Sequence, residues 1–225
     1  MKNKAMVLAE AVFDVLYLTA VILSGVLLCA LSTGGEARGY GIMALILGVG
    51  DAFHLTPRIL SARGVPSSAA GGTPSADAWI GYGKLITSIT MTVFYVFLWN
   101  IGVSHYAPPG FGRFTPLIYA AAGLRVALCL FPQNKWVSSQ PERHWNIWRN
   151  IPFFALGAAV AAMYAAGAAT RADGLSLVWA AIAVSFACYI PVVLFGAKCP
   201  RLGMLMLPKS CAYIAIILMG FSLLD

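Results

Sequence analysis

The stretch Tyr40–Leu60, YGIMALILGVGDAFHLTPRIL, decides what kind of molecule this is. It is long enough to cross roughly 30 Å of hydrocarbon, which takes about 20 residues at 1.5 Å each. Its last third nevertheless carries Asp51, His54 and Arg58, which lipid does not accept cheaply. Six other apolar runs of similar length surround it, near 6–31, 78–102, 116–132, 151–170, 174–196 and 202–224. The 225 residues are 60% apolar and only 10% charged, against about a quarter charged in soluble domains, and mean hydropathy is +0.81. The expected fold is an all-α integral membrane protein, a bundle of about seven transmembrane helices, with residues 1–225 forming one transmembrane domain.

The first run follows Met-Lys-Asn-Lys but is too long for the h-region of a secretory signal, about 7–15 residues, and contains Glu10 and Asp14. It reads as a retained helix. The cysteines at 29, 129, 188, 199 and 211 show no metal-ligand spacing, so neither zinc nor any other cofactor is expected. The net charge of +7 is that of positive cytoplasmic loops and implies no nucleic acid. With the N-terminus inside, the cytoplasmic segments hold Lys2, Lys4, Arg58, Arg63, Lys135, Arg143, Arg149, Lys198 and Arg201. The outer ones hold Arg38, Arg113 and Arg171. The predicted topology is therefore N-terminus cytoplasmic and C-terminus outside, in the cell inner (plasma) membrane.

The connections are expected to carry no site. Ser61–Ala78 is rich in Gly, Ser and Pro, as a flexible loop is, and Ser104–Pro116 reads as an outer turn stiffened by Pro108 and Pro109. Ser139–Asn150, with Trp145, Trp148 and Arg149, suits a segment at headgroup level. The small residues of the fifth run suit close helix packing.

Inside the runs, the charges fall at one depth. Glu10 and Asp14 share a helix face with Tyr17 one turn further on. Asp51, His54 and Arg58 form a second stripe, with Pro57 expected to end or kink the helix. Lys84, Arg125 and Lys209 each lie about 9–12 Å in from the same side. Intramembrane charges face the bundle interior and pair or line water, so a shared polar cavity open to the cytoplasm is predicted. Lys84 and Arg58 have a second reading as snorkelling side chains, and the deep set as a structural ion-pair network.

These residues carry a resemblance. GDAFHLTPRIL (Gly50–Leu60), followed after a loop by IGYGKLITSITMTVFYVFLW (Ile80–Trp99), resembles the YhhN-type, lysoplasmalogenase-like membrane proteins. In these a Gly-Asp pair on one transmembrane helix precedes a helix with a small residue near its start and a Tyr near its end. Gly50, Asp51, Leu55, Pro57, Arg58, Gly83 and Tyr95 carry the match. That family has a Ser-Asn or Ser-Asp pair in a late helix. VSFACYIP (Val184–Pro191) offers Ser185 and Cys188 there without an acid, which leaves Glu10 or Asp14 as the second carboxylate.

The resemblance implies hydrolysis of the vinyl ether bond of lysoplasmalogen-type lipids. Such chemistry asks for one group to protonate the enol-ether carbon and a carboxylate to stabilise the oxocarbenium ion or activate water. Asp51, Asp14, Glu10 and His54 are the candidate catalytic residues. Arg58, Lys84, Arg125, Lys209 and Tyr95 are the candidate substrate-binding residues, and the partner is a membrane lipid or small amphiphile. A transporter or binding protein for a small amphiphile or anion would use the same cavity without chemistry. The absence of GxSxG argues against a serine-type lipase.

Overall fold

A computed structural model describes residues 4–62, 76–137, 143–196 and 198–224. Lys2, Arg63 and most of the predicted Ser61–Ala78 loop lie outside the described residues, as do the side chains of Lys4 and Arg143. The described chain forms seven long helices: α1 Lys4–Leu31, α2 Gly35–Ala62, α3 Ala76–Tyr106, α4 Thr115–Leu130, α5 Arg143–Thr170, α6 Val178–Phe195 and α7 Met206–Met219. Short 3₁₀ turns extend α7 at both ends, Pro200–Leu205 and Gly220–Leu223. All seven helical segments are long and apolar enough to cross a membrane. A helix suits that setting because it satisfies every backbone N–H and C=O within itself.

Three boundaries differ from the sequence reading, each for a local reason. Pro57 lies inside α2, which continues to Ala62. A proline costs a membrane helix little when neighbours cover the freed carbonyl. Pro152 and Pro191 likewise lie inside α5 and α6. The segment read as lying at headgroup level is, from Arg143 on, helical and forms the first two turns of α5. Finally, α3 runs on to Tyr106 and α2 begins at Gly35, because the polar residues there find partners at the helix ends.

The core is aromatic. Trp99, Tyr17, Tyr40, Tyr95, Tyr164, Tyr213, Phe94 and Phe153 are the largest fully buried side chains, while Leu8, Leu16, Leu117, Leu124 and Leu130 stand more than half exposed on the perimeter. The few buried charges, Asp14, Asp51 and Arg125, lie inside this apolar bundle and away from the perimeter, as lipid requires. The helix α2 is central, packing chiefly on α3 and α1. Bare backbone permits both approaches. A Cβ on Gly83 would stand 2.6–2.8 Å from the Cβ, Cα and N of His54, and one on Gly41 would stand 2.8 Å from the Cys29 backbone nitrogen. The chain enters α1 and leaves α2 at one end of the bundle, the Arg58 face. The α1–α2, α3–α4 and α5–α6 connections gather at the other, the His105 face.

Candidate functional site

The predicted charges come together as a row that runs inward from the Arg58 face. At its outer end Arg58, on α2, places Nη2 3.5 Å from Glu10 Oε2 and 3.7 Å from Asp14 Oδ2, both on α1. Asp14 is buried at 6% exposure, whereas Arg58 is 40% exposed in its side chain. One helical turn deeper, the Tyr17 hydroxyl donates to Asp51 Oδ2 over 2.6 Å, which leaves Oδ1 free of that bond. Asp51 is itself buried. Beside it, the Thr87 hydroxyl lies 3.1 Å from the Gly50 carbonyl oxygen and 2.9 Å from His54 Nδ1, and it also bonds Asp51.

Beyond Asp51 the row turns cationic. Lys209, on α7, acts electrostatically on both Asp51 and Arg125 and sits over two rings, 4.7 Å from the centroid of Tyr213 and 5.2 Å from that of Tyr189. The Tyr213 hydroxyl is 3.3 Å from that of Tyr95, and buried Ser185 joins the same pair. Arg125, on α4, is 3% exposed with its guanidinium carbon 3.4 Å from the centroid of Phe153. Its Nε and Nη1 are buried without a hydrogen-bond partner.

Two neighbouring cations, one of them bearing orphaned donors, are the costly feature here. Removing a charge from water is compensated only by a partner and hydrogen bonds, and an unmet buried donor costs about 1–3 kcal/mol. Ring faces repay part of this, but a ring offers nothing to an in-plane N–H. The arrangement has room in its chemistry for one anion.

A polar scaffold stands behind Arg125. Arg149 donates to Asn134 Oδ1 at 2.9 Å and Asn146 Oδ1 at 2.8 Å and lies 4.1 Å over the Trp136 ring. Asn134 Nδ2 donates to the carbonyls of Leu128, Cys129 and Phe131, satisfying the open end of α4. The Tyr189 hydroxyl donates to Asn150 Oδ1 at 3.0 Å. These bonds build the wall of the row near Arg125 by tying the end of α4 to α5 and α5 to α6.

Of the predicted residues, Glu10, Asp14, Asp51, His54, Arg58, Arg125, Lys209 and Tyr95 belong to this row or its walls. Lys84 is exposed on α3 and reaches the row through its charge on His54. Aromatic rings stand along the row, Tyr189 and Tyr213 against Lys209 and Phe153 against Arg125. Sequence reasoning missed Thr87, Tyr189, Tyr213 and Asn150, which carry no charge to mark them in an apolar helix. It also missed the His105 face, where Glu36, His105, Arg171 and Asp173 line a cavity of about 440 Å³. The signal was a pair of polar residues, His105-Tyr106, at the end of an apolar run. Among the described residues no three His, Cys, Asp or Glu side chains are arranged to hold a metal ion.

No protein-family model, no curated protein and no solved structure matches this chain.

Proposed function

We propose that the chain is a multi-pass membrane enzyme of the lysoplasmalogenase-like kind, hydrolysing the vinyl ether bond of a single-chain, phosphate-bearing lipid. The N-terminus and the Arg58 face lie on the cytoplasmic side of the inner (plasma) membrane. The observation that carries the reading is the pairing of a buried carboxylate with an unmet cation: Asp51 held by Tyr17 at one end, and Arg125 with two unpartnered N–H donors at the other. A lipid headgroup phosphate supplies the acceptors Arg125 lacks, and Lys209 shares its charge. Arg–phosphate contacts are strong because the planar fork matches the oxygens.

In this arrangement Asp51 delivers a proton to the enol-ether carbon, and the ether oxygen takes the positive charge as an oxocarbenium ion. Water then adds to the oxocarbenium carbon and releases its proton to Asp14, which Arg58 holds in place. The hemiacetal hydroxyl proton passes to the ether oxygen as that C–O bond breaks, giving a fatty aldehyde and a glycerophosphoryl alcohol, and the proton taken up by Asp14 returns to Asp51 for the next turnover. Tyr17 orients Asp51, and His54 is oriented by Thr87. Glu10 shares Arg58 with Asp14. The orphaned Arg125 donors equally favour a second reading, a carrier or binding protein for an amphiphilic anion without chemistry.

Radiolabelled lysoplasmalogen added to the purified protein separates the two. Aldehyde release that disappears in Asp51→Asn, while the lipid still binds, supports the enzyme. Binding by the wild type with no aldehyde supports the carrier. Neither binding nor product removes both.

A further inference from the structure

A cavity at the His105 face stands apart from the row of charges. It is bounded by the α1–α2 corner (Gly34, Gly35, Glu36, Ala37), by His105 at the end of α3, by Arg171 and Asp173 between α5 and α6, and by Ser222 near the end of the chain. Its polar groups are already partly committed, and the commitments show what remains. Asp173 is saturated. Its Oδ1 accepts from the Tyr106 hydroxyl at 2.7 Å and the Leu175 N–H at 2.9 Å, and its Oδ2 faces His105 Nε2 at 2.8 Å and Arg171 Nε at 3.2 Å. Glu36 commits Oε2 to His105 Nδ1 at 2.9 Å and stays 37% exposed. Arg171 gives Nε to Asp173, has one Nη 2.8 Å from the His105 ring nitrogen that faces Asp173, and is 59% exposed.

The remaining recognition capacity is therefore one acidic oxygen on Glu36 and one guanidinium edge on Arg171, facing a common volume. A lone cation entering it meets Arg171, and a lone anion meets Glu36. Only a ligand with both charges a few ångströms apart satisfies the two together. The volume, about 440 Å³, is at the small end of ligand pockets.

We infer that this cavity is a second binding site, distinct from the Asp51–Arg125 row, and that it takes a compact zwitterion: a primary ammonium set against Glu36 and a phosphate or carboxylate set against Arg171. Ser222, whose hydroxyl donates to the Met219 carbonyl at 2.7 Å, offers its oxygen to the ammonium. The same chemistry is found in a phosphoethanolamine headgroup of the surrounding leaflet and in a free solute of that type.

The test is calorimetric titration of the protein in phosphatidylglycerol nanodiscs with glycerophosphoethanolamine, with ethanolamine and glycerol 3-phosphate as single-charge probes. The zwitterion is expected to bind at least tenfold more tightly than either fragment, and Glu36→Gln and Arg171→Gln each to weaken it at least tenfold. Because both variants also loosen the His105 cluster, Gly35→Leu provides a separate arm. Gly35 lines the cavity and a Cβ there meets nothing within 4 Å, so a leucine has room to enter the cavity, and a thermal unfolding midpoint equal to the wild type's checks that the cluster is intact. Gly35→Leu should abolish binding. In phosphatidylethanolamine nanodiscs, loss of the solute's apparent affinity marks the lipid headgroup as the natural occupant, and unchanged affinity marks a solute. Equal binding of the fragments, or a Gly35→Leu protein that binds as the wild type does, overturns the inference.

Discussion

Replacing Arg125 by Met should stabilise the protein when no anion is present and destabilise its complex with one. In the wild type, Nε and Nη1 are buried without acceptors. At about 1–3 kcal/mol for each unmet donor, they cost roughly 2–6 kcal/mol. The guanidinium recovers part of this from the Phe153 ring 3.4 Å away, about 2 kcal/mol for a desolvated cation–π contact. Met fills similar volume without donors, so Arg125→Met should be more stable by roughly 0–4 kcal/mol, the difference of those two figures. With an anionic amphiphile at about 100 times its Kd, the wild type gains about 2.7 kcal/mol by mass action, and the variant, having lost the acceptor's partner, gains little. The assay is equilibrium unfolding in detergent free of phosphate, repeated with a lysophospholipid. A variant less stable than the wild type without ligand, or an equal ligand-induced gain in both, would refute the idea that Arg125 awaits an anion.

Two further outcomes follow from packing and from charge. Gly83→Ala should lower stability by about 1–3 kcal/mol, because its Cβ falls on His54 backbone that cannot yield without parting α2 from α3. Gly123→Ala, on α4 with nothing within 4 Å of the added atom, should be neutral or gain up to about 1 kcal/mol; equal effects at the two sites, read by thermal unfolding, would contradict the close approach. At the His105 face, burial pushes the Asp173 carboxyl up, but hydrogen bonds from Tyr106, His105 and the Leu175 N–H outweigh it and hold the carboxyl at about 2. A carboxyl held below its unfolded value of about 3.9 stabilises the fold above that value and loses the contribution as pH falls from about 4 to about 2. Asp173→Asn should therefore cost about 1 kcal/mol near neutrality, after allowance for solvent screening at this face, and the cost should vanish near pH 2. A cost that stays constant across that range, measured by unfolding at each pH, would exclude the carboxylate as its source.

The sequence by itself determined the number of spans, and it did so through a property that needs no tertiary contact. A run of about 20 apolar residues is forced to become a helix wherever lipid offers its backbone no partner. It also determined that Glu10, Asp14, Asp51, Arg125 and Lys209 turn inward, since each sits where exposure to hydrocarbon is costly. What only the tertiary structure decided is who meets whom. Helical periodicity gives the face of one helix but not the rotation of its neighbour, so neither the Tyr17–Asp51 bond nor the unmet guanidinium of Arg125 could be read from spacing. Lys84 turns outward despite its depth, because a lysine's long apolar stem lets the ammonium reach away from the helix that carries it. The cluster of Glu36, His105, Arg171 and Asp173 draws on three separate connections, and their residues, distant in sequence, become neighbours only when the seven helices close around an aromatic core.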